Sequence, residues 1–343
     1  MIVDGVHRNN TRVQIRVLGF EHCTRACDHC SLDSNPGLRN PSFKDLERWQ
    51  GRIEWSSTGV QLTLGEPTIY SDWFKRKARN LSDVVRMILA GNSDTSVFIN
   101  TSGIDFMNPI EAQTAIDLSC LPEEMRGRIK YNLTASKFPH YPSSRGREVL
   151  EETLEFLVYF FTFHLITFVG QEGLRRWLKA KLMSFGIKED DVGRYLPGPR
   201  GVHKYGRAMT GKLYTEDGDY PPSNQYVDTC ILKGHFGSEK LALMPDGIIV
   251  PGCVMIESPF LGIAHINDSP EEIREKTRLF RSEVTANQLR HPPSCLSCIK
   301  AAAELGTLRH EERLLRCVPY SNIVQGIIRE ARIPSRRRSI PAW

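Results

Sequence analysis

The sequence has no apolar run long enough to cross a membrane. Its most apolar stretch, Leu154 to Val169, is shorter than a span needs and carries Glu155 and His164. It reads as the end of a core helix followed by a buried strand. The amino terminus, Met1-Ile2-Val3-Asp4, has neither the charged region nor the apolar region of a secretory signal. A cytoplasmic protein with no membrane partner is expected. An excess of one charge is also missing: 45 Lys and Arg against 40 Asp and Glu give a formal +5. Nothing in that balance calls for nucleic acid, and Arg336-Arg337-Arg338 is a short basic tail rather than a binding arm. Apolar content of 40% and charged content of 25% suit an ordinary globular chain, and 343 residues allow one large or two moderate domains.

Cysteine is not scarce. Nine cysteines in a chain without a secretory signal point to metal or redox chemistry rather than disulfides. Three of them, Cys23, Cys27 and Cys30, fall within eight residues, and the next is as far away as Cys120. A fourth nearby thiolate would close a zinc tetrahedron or complete an ordinary cluster. Three ligands on a four-iron cluster leave one iron open to another group. Half of a zinc site and a chance grouping are the alternatives.

Short apolar runs alternate with helical patterns up to about residue 215. Strands are expected over Val13–Leu18, Val60–Leu64, Val97–Asn100, Ile129–Thr134, Leu165–Val169 and Val202–Tyr205. Amphipathic helices are expected over Ser42–Glu54, Trp73–Leu89, Ile110–Leu118, Arg147–Phe160 and Glu172–Phe185. Six such units predict an α/β fold whose parallel sheet curls into a barrel or partial barrel. Ligands of such sheets sit at the carboxyl ends of the strands, where the cysteine loop would lie.

The CxxxCxxC spacing after a first strand resembles the signature of radical S-adenosylmethionine (SAM) enzymes. The resemblance implies a partial (β/α)6 TIM-like barrel. A [4Fe–4S] cluster on Cys23, Cys27 and Cys30 would grip SAM through its open iron and split it to a 5′-deoxyadenosyl radical. Leu64-Gly65-Glu66-Pro67 resembles the family's GGEP motif, with Leu64 in place of the first glycine. By that resemblance Gly65 and Glu66 meet the amino group of SAM. On the fourth strand, Asn132, Thr134 and Ser136 share one face. Thr134 and Ser136 are the expected contacts to the SAM ribose or carboxylate, with cap or turn roles as the alternative. His29 stands where the family often has an aromatic residue beside adenine; a structural histidine is equally compatible. Arg207, in Gly206-Arg207-Ala208, matches a signature of members with extra clusters and is a candidate carboxylate clamp or a surface ion pair.

Past residue 215 the pattern changes. A polar linker, Tyr214 to Asn224, leads to Cys230 and to strands Leu241–Met244 and Ile248–Val250 around Pro245-Asp246-Gly247. Cys253 follows. A helix announced by Ser269-Pro270-Glu271-Glu272 then leads to Cys295 and Cys298. These four cysteines, separated by 22, 41 and two residues, resemble the ligand set of a twitch domain, an abbreviated SPASM domain holding one auxiliary [4Fe–4S] cluster. A structural zinc on the same thiolates is the alternative. The expected organisation is a barrel over 1–215, a smaller β-hairpin/helix iron–sulfur domain over 216–318 and a basic tail over 319–343.

Two cysteines remain. Cys120 reads as a small buried apolar residue. Cys317 is a packed thiol, a further cluster ligand, or the hydrogen donor that a thiol supplies in radical epimerases of this family. The expected function is hydrogen abstraction from a small polar substrate (sugar, aminocyclitol or nucleoside) in natural-product biosynthesis, served by a flavodoxin- or ferredoxin-type electron donor. In the resembling aminocyclitol dehydrogenases the auxiliary cluster takes the second electron; in epimerases a thiol returns hydrogen. Modification of a ribosomally made peptide is the alternative within the family. A zinc-binding interaction module is the alternative outside it.

Overall fold

The computed structural model describes residues 2–3, 6–7, 12–25, 34–136, 146–161, 165–169, 172–196, 241–251, 258–288, 295–318 and 321–332. A short antiparallel pair, β1 (Ile2–Val3) and β2 (Val6–His7), precedes β3 (Val13–Gly19). Then come α1 (Phe43–Trp49), β4 (Ile53–Trp55), β5 (Val60–Thr63), a hairpin of β6 (Ser71–Phe74) and β7 (Lys77–Asn80), and α2 (Leu81–Gly91). β8 (Val97–Thr101), α3 (Pro109–Ser119), α4 (Glu123–Arg126), β9 (Ile129–Ser136) and α5 (Gly146–Phe160) follow. β10 (Leu165–Val169), α6 (Glu172–Ser184) and α7 (Glu189–Tyr195) come next. Beyond residue 240 lie β11 (Leu241–Leu243), β12 (Ile248–Pro251), β13 (Ala264–His265), α8 (Pro270–Gln288), α9 (Cys295–Glu304), α10 (Glu311–Cys317) and α11 (Ser321–Ala331).

Among the described residues, one mixed, mostly parallel sheet carries the fold, in the order β10-β9-β8-β5-β3-β11-β12-β13, with β4 also on β3. β3, β5, β8, β9 and β10 are mutually parallel and follow one another across the sheet in chain order. Right-handed crossovers that all step the same way place their helices on one face. Burial follows that rule. Leu62, Val97, Ile99, Ile129, Tyr131 and Leu133 are sealed on the helix side, while the alternating Gln61, Thr63, Asn100, Lys130, Asn132 and Thr134 are only half-buried. One face of the sheet is thus apolar core and the other is polar and partly open. Five of the six expected strands are present at the expected places; the sixth, Val202–Tyr205, lies outside the described residues.

Two expected helices are interrupted. The stretch Ser42–Glu54 is helical only to Trp49, passes through a 3₁₀ turn and ends in β4, which pairs in parallel with β3. Ile53 and Trp55 are buried on either side of Glu54, so a period of two wins over the helical pattern there. The stretch Trp73–Leu89 opens as the β6–β7 hairpin, and its helix starts at Leu81 behind an Asn80–Asp83 capping box. Lys75 and Arg76 turn that hairpin with φ of 53° and 59°. Neither is the Asn or Gly that marks such a turn in a sequence.

The Asp246-Gly247 hairpin forms as expected, with Gly247 at φ +83°. Its first strand, however, pairs in parallel with β3, so the segment assigned to a second domain extends the central sheet. Leu241↔Ile15 and Ala242↔Val17 leave Arg16 as an extra residue in β3. The shift turns Val17 away from the main core into a small cluster with Ala242, Met244 and Val250. Arg52 ties the two halves further, donating Nη1 to the carbonyls of Asn267 (3.0 Å) and Asp268 (3.2 Å). The expected capping box opens α8: Ser269 N–H donates to Glu272 Oε2 (2.7 Å) and Glu272 N–H to Ser269 Oγ (3.2 Å). Residues 321–331, read as part of the basic tail, form α11, which buries Val324 and Ile328. Among the described residues no helix is long and apolar enough to cross a membrane.

Candidate cysteine-loop site at the carboxyl ends of the strands

β3 delivers the chain to Phe20, whose N–H donates to Thr63 O (2.8 Å) at the end of β5. Two residues on, His22 O accepts from Glu66 N–H (3.2 Å). Between these bonds lies Gly65. A Cβ there would stand 2.3 Å from Phe20 O and 2.5 Å from His22 O, so only glycine fits. The segment entering the cysteine motif and the Gly65-Glu66-Pro67 turn are therefore packed backbone to backbone. Cys23 is buried, and its N–H donates to Asn35 O (3.3 Å).

Leu64 adopts φ +86°, a conformation that favours glycine and is unfavourable for Leu. The turn keeps the backbone of a glycine-rich motif although the side chain has changed. That side chain packs on the Val17, Ala242, Met244, Val250 cluster, which offsets part of the strain. Leu64 O also accepts from Ser34 Oγ (2.7 Å), fixing the far end of the cysteine loop to the same turn.

Glu66 is 2% exposed. Its Oε1 accepts from Thr101 Oγ1 (2.7 Å) and Thr68 Oγ1 (2.8 Å), and its Oε2 from Ser102 N–H (2.9 Å) and Ser102 Oγ (2.7 Å). A buried carboxylate needs such donors. A second buried carboxylate, Glu111, stands close by in the first turn of α3, behind the Asn108 cap. Its Oε2 takes the Arg25 guanidinium and the Asp105 N–H (2.9 Å), while its Oε1 has no hydrogen-bond partner. Burial pushes the Glu111 carboxyl up to about 7; Arg25 pulls it down and the Glu66 charge raises it. Arg25 thus meets Glu111 directly, and the Thr68 hydroxyl stands between Glu111 and Glu66.

Thr134 is half-buried on the open face, and Ser136 ends β9 opposite Val169. Asn132, two residues before Thr134, donates Nδ2 to Asn100 Oδ1 (2.7 Å) across β8 and β9, and its own Oδ1 has no partner. Cys27, His29, Cys30, Arg207, Cys230 and Cys253 lie outside the described residues. Cys295 and Cys298 stand one turn apart at the start of α9. Among the described residues, no group of three His, Cys, Asp or Glu side chains converges. Cys317 ends α10 wholly buried in the main apolar cluster. Cys120 corrects the expectation of a buried thiol: it is exposed, at the carboxyl cap of α3. Leu118 and Leu121 take the inward positions on either side.

Arg25, Thr101, Ser102 and Glu111 carry the network without having been singled out from sequence. Arg25 is a spacer position of the cysteine motif, and Glu111 is an ordinary acidic residue of a helical first turn. The parallel packing of β3 beside β5 and of β5 beside β8 brings them together. No protein-family model and no curated protein matches the chain.

Proposed function

We propose that this chain is a radical SAM enzyme built on a partial (β/α)6 barrel. Cys23, Cys27 and Cys30 would hold the SAM-binding cluster, and Cys230, Cys253, Cys295 and Cys298 an auxiliary one. The observation that carries the reading is the backbone-to-backbone packing of the segment entering the cysteine motif on the Gly65-Glu66-Pro67 turn. It sits at the carboxyl edge of parallel strands that follow one another in chain order. Two motifs far apart in sequence share one place, as a cofactor that bridges them requires.

The residues present fit the cofactor. Gly65 lets the Glu66 turn pack directly on the Phe20–His22 backbone, which sets the Glu66 carboxylate beside the start of the cysteine motif. Half-buried Thr134 offers a hydroxyl on the open face. When bound, the two groups supply one-electron cleavage of the sulfonium and a carbon radical that takes hydrogen from an unactivated C–H, the electron coming from a flavodoxin- or ferredoxin-type protein. The chain's own part is orientation. Glu66, held by Thr68, Thr101 and Ser102, keeps its charge at one fixed point. The amides and hydroxyls of Gln61, Thr63, Asn100 and Asn132 suit a small hydroxyl- or amine-bearing substrate. The burial of Cys317 in the apolar cluster favours an oxidised product over an epimer.

The test is anaerobic purification followed by reduction with dithionite in the presence of SAM. Brown protein containing iron and sulfide, and release of 5′-deoxyadenosine, are expected. A colourless zinc protein that leaves SAM intact overturns the reading. With substrate in hand, Cys317→Ala should leave product formation intact if the product is oxidised. It should abolish product, with SAM cleavage retained, if the product is an epimer.

A further inference from the structure

Two routes connect Arg25 to Glu66. By one, Arg25 pairs with Glu111 Oε2, and the Thr68 hydroxyl lies 3.4 Å from that oxygen and 2.8 Å from Glu66 Oε1. By the other, Arg25 Nη2 donates to Gly103 O (3.3 Å), the Gly103 N–H donates to Thr101 Oγ1 (3.1 Å), and the Thr101 hydroxyl donates to Glu66 Oε1 (2.7 Å). Arg25 stands midway between Cys23 and Cys27. We infer that Arg25 and Glu111 are positioning residues that lock the middle of the cysteine loop to the carboxylate of Glu66. The Cys23 end of the loop, which would hold the cluster, and the Glu66 carboxylate then keep one relative geometry. The inference rests on the function proposed above only for that last consequence.

Stability alone does not call for this pair. A buried ion pair is commonly replaceable by apolar side chains of similar volume without loss of stability. What charges add is a directional contact that a loop cannot leave without stranding a buried carboxylate. Arg25 is 4% exposed and Glu111 is not exposed at all. Glu111 is held in turn by the Asn108 cap of its helix and by the Asp105 N–H on its Oε2. The strut therefore joins the loop to a capped helix start, and that helix start to the Glu66 turn. The Cys23 and Glu66 amides, bonded to Asn35 O and His22 O, report on both ends.

The experiment compares the full-length wild type with Arg25→Met, Arg25→Lys and Glu111→Gln by amide hydrogen exchange, iron content and SAM cleavage kinetics. Arg25→Met and Glu111→Gln should speed exchange of the Cys23 and Glu66 amides at least tenfold and leave the α8 and α9 amides unchanged. Arg25→Lys, which keeps the charge but not the planar fork, should restore part of the protection. In loaded enzyme the KM for SAM should rise about tenfold in Arg25→Met with kcat for cleavage changed less than threefold, a split that general loosening would not give. Unchanged exchange at both amides in folded Arg25→Met and Glu111→Gln overturns the strut. A rise spread equally over α8 and α9 also overturns it, as a merely structural role. A wild type that binds no iron sinks the proposed function instead and leaves the exchange result to decide the strut.

Discussion

Arg313 Nη1 lies 2.8 Å from Glu21 Oε1, across 292 positions of sequence, and both side chains are less than a tenth exposed. Phe260 sits beneath the guanidinium, its ring centre 5.5 Å away. Glu21 is two residues before Cys23, and Arg313 lies on the helix that ends in Cys317. The pair thus pins the carboxyl-terminal helices to the entrance of the cysteine loop. Taking one partner away leaves a buried charge, which costs about 3–5 kcal/mol. Glu21→Gln and Arg313→Met should each lower the unfolding free energy by roughly that amount, and the double variant by clearly less than the sum. Urea denaturation of the three variants decides it, and additive losses would mean that the two side chains do not act as a pair.

Leu64 and Gly65 are neighbours that should respond oppositely to small changes. Gly65→Ala puts a carbon 2.3 Å from Phe20 O and 2.5 Å from His22 O, both backbone atoms that cannot rotate aside. A loss of about 3 kcal/mol is expected, near the upper end for overpacking. Leu64→Gly relieves a left-handed strain of about 1–2 kcal/mol while removing a half-buried side chain worth a similar amount. Its unfolding free energy should stay within about 1 kcal/mol of wild type. The comparison is made by chemical denaturation, and a Leu64→Gly variant as unstable as Gly65→Ala would show that the Leu64 side chain, not its backbone, shapes the turn.

These cases show where sequence is informative. β3, β5, β8, β9 and β10 were legible because each buried strand is a short apolar run between turn signals. The Asp246-Gly247 hairpin and the Ser269 capping box were legible because their chemistry is local. The β6–β7 hairpin was not, since Lys75 and Arg76 occupy left-handed positions without a residue type that announces them. β4 was hidden because Ile53 continues the helical spacing of Leu46 and Trp49, and only pairing with β3 settles its state. Within the site, Gly65 and Glu66 could be read as a motif. Arg25, Glu111 and Glu21 could not, because their importance comes from partners 86 and 292 residues away. The placement of β11 beside β3 is of the same kind: a parallel pairing between distant segments leaves no trace in either.

Cys120 and Cys317 should differ sharply in reactivity. Cys120 is exposed at the end of α3, and Cys317 is enclosed by the main apolar cluster. Access governs thiol alkylation alongside thiolate character. Brief treatment of native protein with iodoacetamide, read by peptide mass spectrometry, should label Cys120 and spare Cys317 until denaturant is added. Equal labelling of the two in native protein would place Cys317 at a surface and return it to the candidates for hydrogen donation.

Glu111 sets a pH dependence with a definite sign. Its folded value, pushed up by burial to about 7 despite Arg25, lies above the ordinary carboxylate value of 4.5. The folded chain therefore holds this proton more tightly than the unfolded chain between those two values. By linkage, stability from this group is greatest below about pH 4.5, falls as pH rises toward 7 and is level above it. Glu111→Gln cannot titrate and removes the slope, whatever constant offset the loss of the Arg25 contact adds. The unfolding free energy of wild type minus that of Glu111→Gln should decline on the order of 3 kcal/mol from pH 4.5 to 7.5. Denaturant titrations at unit pH intervals measure it. A difference that is flat, or that rises with pH, would mean that Arg25 holds Glu111 ionised throughout this range.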